Sequence, residues 1–180
     1  MIDPRSGKFT AHAFVGGMLS SLGHNPTFAV RDFGGEVNFN PAEPDGASVK
    51  LTIQAASLEL TDEFSGRDRW DIMHVMTDEV LEVSQHPEIV YDSRAGQIAL
   101  KRAADSLFEA ALKGTLTLHG VTRHQPVTAH IVAREDSLRA YGEVVLRQPD
   151  YDLKHVTVAG SMMKVKEEVK LTFDLVARKQ

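Results

Sequence analysis

Cysteine is absent from the 180 residues of this chain. The absence excludes a disulfide-stapled scaffold, a cysteine nucleophile and a zinc site built on thiolates. Basic residues are also few, since 20 Lys and Arg stand against 25 Asp and Glu and give a net charge of −5. Nonspecific nucleic-acid binding needs many cationic phosphate contacts, and anionic membranes attract basic surfaces. We therefore expect neither nucleic acid nor an anionic membrane surface as a partner.

Long hydrophobic runs are lacking too, even in the stretch from Phe9 to Val30, which carries no charged residue. A membrane-spanning helix needs about 20 predominantly apolar residues, whereas glycine, serine, histidine and proline interrupt this stretch. Its best apolar piece, Phe14 to Leu19, is too short for the apolar core of a secretory signal. We therefore expect no integral membrane association and a cytoplasmic location, or a periplasmic one if a leader precedes the chain.

The chain has the composition of an ordinary soluble globular protein, with 42% hydrophobic and 25% charged residues. Its length predicts a single domain over residues 1–180. Apolar and polar residues alternate in several segments, for example from Ala47 to Ala55. A strand turns successive side chains to opposite faces, so this alternation predicts strands with one buried and one solvated face. Such strands are typical of antiparallel sheets.

About eight strands are predicted, because turn signals such as Pro41 to Gly46 and Glu135 to Ser137 separate the alternating segments. The segments cover residues 7–15, 27–40, 47–59, 87–94, 97–103, 107–119, 124–134, 138–147 and 164–178. The segment 27–40 is either two short strands or one strand bent at Gly34-Gly35. Many short strands with regular turns indicate an all-β sandwich or barrel.

One helix interrupts the strands, over about residues 67–85. Its apolar residues recur at spacings near 3.6, which places them on one face of a helix: Ile72, Val75, Met76, Val80 and Val83. Ser65 is the predicted N-cap, and Pro87 ends the helix because a residue before proline disfavours helical geometry.

No residue is predicted to be catalytic or to bind a metal. Eight histidines are present, but none forms a His-Glu-x-x-His motif, and His119 and His124 meet only if a hairpin brings them together. Metal ligands usually come in convergent groups of three or four. The chain also lacks a phosphate-binding glycine loop, and Ser20 and Ser21 have no identifiable acid to orient a catalytic histidine. We therefore expect no cofactor.

The buried faces of the strands leave two interpretations open. They carry Ala, Val, Leu, Ile and Phe, so a barrel built from them either encloses a cavity for an aliphatic guest or is filled by its own side chains. Periodicity does not separate these interpretations, and a register error of one residue exchanges the two faces.

The segment Gly114-Thr-Leu-Thr-Leu-His-Gly-Val-Thr-Arg123 resembles the Gly-x-Leu-Thr-(Ile/Leu)-x-Gly-Val-Thr-(Lys/Arg) signature of the YceI-like, polyisoprenoid-binding family. Further matches keep the order of that family along nearly the whole chain. They are Ile2-Asp3-Pro4 with Ser6, Ser57 to Thr61 with Arg67-Asp68, His86 to Ser93, Asp150-Tyr151 and Val165 to Val169. The chain departs from the family at Arg69-Trp70, at Val80-Leu81 in place of Phe-Phe, and at Tyr151-Asp152-Leu153 in place of Phe-Gly-Ile.

The resemblance implies an antiparallel, eight-stranded, lipocalin-like barrel with the helix near one opening. It also implies an elongated interior that binds an isoprenoid quinone, a polyprenyl lipid or a fatty-acyl lipid, often in a homodimer. The family is not known for one defined reaction, so we expect a binding protein and not an enzyme. Two alternatives stay open: an isomerase, cyclase or hydrolase acting on a lipid-like substrate, and a ligand-free structural or stress-response module with a filled barrel.

The binding site is assigned to two sets of residues. The lipid tail is expected among apolar residues on the inward strand faces: Phe28, Val30, Phe33, Val37, Leu51, Ile53, Phe108, Leu112, Leu116, Leu118, Val144, Leu146, Phe173 and Leu175. The polar head is expected at a mouth formed by His12, His24, Arg67 and Arg69. Arginine matches a carboxylate or phosphate with two parallel hydrogen bonds, although the arginine pair is also compatible with a solvated helix end.

The uncharged segment from Gly16 to Pro26 is expected to be a loop at the rim of the barrel, against the ligand or a dimer partner.

Overall fold

The structure is a computed structural model that describes residues 1–16, 25–40, 42–43, 46–94, 96–158 and 163–179. The first strands are β1 (Lys8–Gly16), β2 (Thr27–Val30), β3 (Phe33–Asn38), β4 (Ser48–Gln54) and β5 (Leu58–Leu60). The helix α1 (Gly66–His74) follows, and a π-helical segment, Val75–Val80, continues it. The remaining strands are β6 (Glu88–Ser93), β7 (Ile98–Arg102), β8 (Leu107–Leu118), β9 (Val121–Ala133), β10 (Ser137–Arg147), β11 (Thr157–Val158) and β12 (Met163–Arg178).

The strands form one antiparallel sheet in the order β3-β4-β6-β8-β9-β10-β12-β1-β2-β5, with β7 beside β8 and β11 beside β12. β2 continues into β3 across Arg31-Asp32, and β4 continues into β5 across Ala55–Ser57. β6 and β7 pair with successive parts of β8, so they form one interrupted strand. When each such pair is counted once, the twelve segments found in the described residues become eight principal strands and the short β11.

The curled sheet closes on itself through its bent strands. β2 pairs with β1 while its continuation, β3, pairs with β4, and this joins the two ends of the sheet. Ile2 strengthens the junction, because it pairs with Ala177 of β12 and its N–H donates to the carbonyl oxygen of Gly35 at 2.9 Å. The prediction of an all-β, lipocalin-like barrel with one central helix is therefore confirmed.

The helix is shorter than predicted from the sequence. Ser65 is its N-cap as expected, since its Oγ accepts a hydrogen bond from the N–H of Asp68 at 3.2 Å. The α-helical hydrogen bonds change to a π-helical pattern after His74, and the helix ends at Val80 rather than at residue 85. Glu82 adopts a left-handed conformation with φ of 45°, which ends the helix before Pro87 can do so.

The glycine pair Gly34-Gly35 is not the bend within residues 27–40. The segment consists of two short strands, and Arg31-Asp32 separates them. Gly35 lies inside β3 with φ of 149°, and a Cβ there would be 2.0 Å from the carbonyl oxygen of Lys50 on β4. Glycine at this position therefore permits the close approach of β3 to β4.

The buried apolar side chains of the interior form two groups. One group combines Leu116, Leu118 and Leu146 of the strands with Met76 and Leu81 of the helical region. The other group lies around Phe9, Phe33 and Ile53 and includes Ile2 and Ala177.

Within the described part of the chain, no helix has both the length and the apolar character needed to cross a membrane.

Candidate ligand-binding cavity

A cavity of about 820 Å³ occupies the interior of the barrel, and residues of both apolar groups border it. Alternate residues of most strands border it; on β1 these are Phe9, Ala11, Ala13 and Val15. Pockets for small molecules usually measure about 300–1,000 Å³, so the cavity has the size of a binding site. The interior is therefore not the filled core that the sequence left open as an alternative.

Most of the residues predicted to contact a lipid tail border this cavity. They are Phe28, Val30, Val37, Leu51, Ile53, Leu112, Leu116, Leu118, Val144, Leu146, Phe173 and Leu175. Their position agrees with the predicted inward faces, while their role in ligand binding stays a prediction.

Phe33 and Phe108 are buried but do not border the cavity, which corrects their predicted place. Phe33 belongs to the apolar group around Phe9 and Ile53. Phe108 packs edge-on against the ring of Phe39, with ring centroids 5.5 Å apart. Alternation gives the face of a strand on which a residue lies, but not its depth along the barrel, and both phenylalanines are in packed parts of the interior.

The helical region covers one side of the cavity with an apolar face that the strand alternation did not reveal. This cover, residues 64–81, contributes Phe64, Ile72, Val75, Met76, Val80 and Leu81 to the lining. The sequence carried the signal, because most of these residues form the apolar stripe by which the helix was recognised. A helical stripe is usually packed against a core, whereas here it faces a cavity.

His12 is not at the mouth of the cavity. Its neighbours Ala11 and Ala13 border the cavity, so the side chain of His12 lies on the opposite, outer face of β1. There its Nε2 lies 3.1 Å from the hydroxyl of Thr10 and its Nδ1 lies 3.3 Å from the hydroxyl of Thr27. His24, the other predicted imidazole, lies outside the described residues.

The two arginines of the predicted mouth do not border the cavity either. Arg67 is exposed on α1. Arg69 donates to the carbonyl oxygen of Leu60 at 2.5 Å and to that of Asp62 at 2.7 Å. The guanidinium therefore fastens α1 to the end of β5.

Other polar residues border the cavity instead. Asp68 and Asp71 lie on the cover, and Arg147 is the one cation among the described lining residues. The hydrogen bond from Arg147 to Glu167, 2.8 Å long, raises the pKa of the guanidinium, so Arg147 stays charged. Burial raises the pKa of Tyr151, whose neutral hydroxyl donates to Gln125 Oε1 at 3.3 Å.

The segment that carried the sequence resemblance forms the β8–β9 hairpin. Leu118 pairs with Val121, and the two residues between them, His119 and Gly120, have φ of 52° and 73°. Positive φ at both positions is typical of the type I′ turn, whose twist matches that of the flanking strands. The hairpin thus supplies cavity-lining leucines from β8. It also places a tight turn beside the cover.

The family model for the YceI-like domain matches residues 2–177. The chain belongs to the YceI-like family. The resemblance found in the sequence is therefore confirmed. A relative from Azotobacter vinelandii, named UPF0312 protein, is 29% identical over 122 residues, which are 67% of this chain and 57% of that protein. The match thus covers little more than half the length of that relative.

Solved structures share the YceI-like fold at low sequence identity. BcnA from Burkholderia cenocepacia has a TM-score of 0.67 and 20% identity, with 98% of this chain and 99% of that chain covered. A polyisoprenoid binding domain from Saccharophagus degradans, implicated in plant cell wall breakdown, has a TM-score of 0.66 and 14% identity, with 99% and 97% covered. These similarities establish the fold.

Proposed function

We propose that this protein binds one long-chain amphiphile in the barrel, with the apolar tail in the cavity and the polar head beside the cover. A polyisoprenoid, an isoprenoid quinone or a fatty-acyl lipid has the required form. The observation that carries the proposal is the apolar space of about 820 Å³ inside the barrel, bordered by the strands and by the cover. Each buried CH₂ group contributes about 0.8 kcal/mol to binding, so a long chain gains affinity without specific polar contacts.

The family supports the same ligand class. The chain belongs to the YceI-like family, and a protein of the same fold is described as a polyisoprenoid binding domain. The residues around the cavity favour a neutral polar head over an anionic one, because Asp68 and Asp71 border it on the cover. Gln125 and Gln148 also border it and offer amide groups to a quinone carbonyl or an alcohol.

We also propose that binding involves no reaction of the ligand. An enzyme acting by acid–base chemistry needs a histidine or comparable group within hydrogen-bond reach of the substrate. Among the described residues that border the cavity there is no histidine, and the acid–base groups there include the carboxyl groups of Asp68 and Asp71 and the hydroxyl of Tyr151. Carriage or storage of a lipid requires an apolar space and a route for the lipid to enter it, and needs no catalytic group.

Native mass spectrometry of the purified protein, followed by solvent extraction, tests the proposal. We expect an isoprenoid or acyl passenger on the wild-type protein. Val144→Trp fills the cavity with an apolar ring and should remove the passenger. Val145→Trp is the matched control, because Val145 is the next residue on β10 and is 51% exposed on the outer face.

Two results contradict the proposal. One is a protein free of passenger from several expression hosts that also fails to take up added lipids. The other is the same passenger occupancy in the Val144→Trp variant as in the control. Leu116→Asp is a second variant for the same purpose, since it places a charge among the lining residues. Conversion of the passenger to a product on incubation would favour the enzyme alternative.

The homodimer and the cytoplasmic location stay predictions. Sedimentation of the protein with and without added lipid will give its oligomeric state. Fractionation of the native host with an antibody to the protein will give its location.

A further inference from the structure

Three residues with metal-ligating side chains converge outside the cavity, where the cover ends against the β8–β9 hairpin. Glu82 follows the π-helical segment, His86 lies in the loop before β6, and His119 is in the hairpin turn. One nitrogen of each imidazole and one carboxylate oxygen of Glu82 lie within 4.8 Å of one another. None of the three borders the cavity, so this cluster is a feature separate from the lipid site.

The contacts within the cluster are close but incomplete. His119 Nε2 lies 2.7 Å from Glu82 Oε2, and the rings of His86 and His119 meet edge to face with centroids 4.6 Å apart. The side chain of His119 is only 13% exposed. Its Nδ1 is buried and has no hydrogen-bond partner among the described residues. Buried polar atoms are nearly always paired, so hydrogen bonding alone does not account for this imidazole.

The backbone brings the three side chains together at the ends of two turns. Glu82 and His119 both have positive φ, of 45° and 52°. At Gly120 a Cβ would lie 2.8 Å from the ring of His86, so glycine leaves the space in which that ring approaches the hairpin. The three residues therefore depend on the folded arrangement of separate segments, and no spacing rule along the chain identifies them.

We infer that Glu82, His86 and His119 bind a divalent transition-metal ion, with Zn²⁺ as the best match. Two imidazoles and one carboxylate suit Zn²⁺, and three protein ligands leave a fourth position for water. Ligand atoms bound to one zinc ion at about 2.0–2.1 Å lie about 3.4 Å apart. The observed limit of 4.8 Å therefore requires an approach of no more than about 1.4 Å for any pair of ligand atoms. The pair His119 Nε2 and Glu82 Oε2, at 2.7 Å, has to widen by about 0.7 Å when an ion enters between them.

A metal at this position would link the cover to the hairpin. Leu81 and Leu118, which precede Glu82 and His119, both border the cavity. An ion held between Glu82 and His119 fixes the distance between these two parts of the lining. Because a ligand that binds only the folded protein stabilises it by mass action, the metal should also raise the melting temperature.

Titration of Zn²⁺ into the untagged, chelator-treated full chain by calorimetry tests the inference. We expect one saturable site per chain, and at least a tenfold weaker affinity in His86→Gln, Glu82→Gln and His119→Asn. Asparagine is chosen for the turn because it adopts positive φ more readily than most residues. His124→Asn is the control, since His124 is exposed on β9. The wild-type affinity should fall as the pH is lowered, because metal ligation requires neutral imidazoles.

Circular dichroism of the metal-free variants shows whether each one is folded. If His119→Asn does not fold, His86→Gln and Glu82→Gln, which lie in other segments, decide the result. The absorption spectrum of bound Co²⁺ supplies a second measure, with the form of a four-coordinate complex expected for the wild-type protein. Absence of a saturable site for Zn²⁺ and Co²⁺ overturns the inference, and so does wild-type affinity in the folded His86 and Glu82 variants.

Discussion

The phenol group of Tyr91 on β6 lies directly over Gly114 on β8. The Gly114 N–H donates to the Tyr91 hydroxyl at 3.3 Å. A Cβ at position 114 would lie 2.6 Å from both Cζ and the hydroxyl oxygen of Tyr91. Gly114 is the first residue of the signature segment. The phenol group of Tyr91 occupies the space that a side chain at position 114 would need.

Gly114→Ala should therefore destabilise the barrel. Insertion of a methyl group into a packed site costs about 1–3 kcal/mol, and the contact with the ring of Tyr91 and with the carbonyl oxygen of Asp92 leaves no room for it. Urea unfolding measures the loss. Gly34→Ala is the matched control, because no atom lies within 4 Å of a Cβ at this other strand glycine. Equal stability of the two variants would show that the space at Gly114 adapts at no cost.

Alternation along the strands predicted the inward faces well, because side-chain direction in a strand follows from sequence position alone. The same rule places His12 outside, since Ala11 and Ala13 face inward. The predicted mouth relied instead on the chemistry of histidine and arginine side chains, which does not determine the direction in which they point. Depth along the barrel, which removes Phe33 and Phe108 from the lining, depends on the stagger of the strands and has no local signal.

The residues that sequence reasoning missed depend on contacts between distant segments. Arg69 fastens the cover to the end of β5, and the sequence does not show which carbonyl oxygens accept those bonds. Glu82 and His119 are 37 positions apart and meet only in the folded barrel. Tertiary contacts of this kind leave no periodic trace in a single sequence.

Arg69→Ala should loosen the cover. The carbonyl oxygens of Leu60 and Asp62 lose their hydrogen bonds from the guanidinium. Loss of a partner by a partly buried polar group costs about 1–3 kcal/mol. Amide hydrogen exchange of residues 66–80 should become faster by an order of magnitude or more.

The exposed Arg67 on the same helix provides the control for this variant. Arg67→Ala should leave exchange in the cover unchanged, because the exposed side chain of Arg67 makes no hydrogen bond or ion pair with the described residues. A larger effect of Arg67→Ala on lipid affinity than of Arg69→Ala would favour a cationic mouth and would contradict the role of Arg69 in fastening the cover.

The stability of the protein should decline in acid partly through Asp174. Hydrogen bonds from Arg139 on the neighbouring strand hold the pKa of Asp174 below its ordinary value of 3.8. Because the pKa is lower in the folded state, the pair stabilises the protein above the ordinary value, and this contribution disappears as the pH falls through the folded-state pKa. The effect is modest, since both side chains are partly exposed and such pairs contribute about 0.2–1 kcal/mol.

Urea unfolding of the wild type and of Asp174→Asn between pH 7 and pH 3 measures this contribution. The difference between the two proteins should be largest near neutrality and should shrink as the pH falls below the ordinary pKa of aspartate, 3.8, toward the lower folded-state pKa. Lipid binding should not change, because the pair lies on the outer surface. A difference that stays constant over the whole range would mean that Asp174 acts through packing and not through its charge.

The two faces of α1 should differ in their effect on lipid binding. Ile72 borders the cavity, whereas Trp70 is 63% exposed and stacks on the outer ring of His74 with centroids 4.9 Å apart. Ile72→Ser removes apolar contact equivalent to two or three CH₂ groups, at about 0.8 kcal/mol each, and should weaken the binding of a fluorescent fatty acid by roughly ten- to fiftyfold. Trp70→Ser should change the affinity less than twofold, while a greater loss in Trp70→Ser than in Ile72→Ser would mean that the ligand contacts the outer face of the cover.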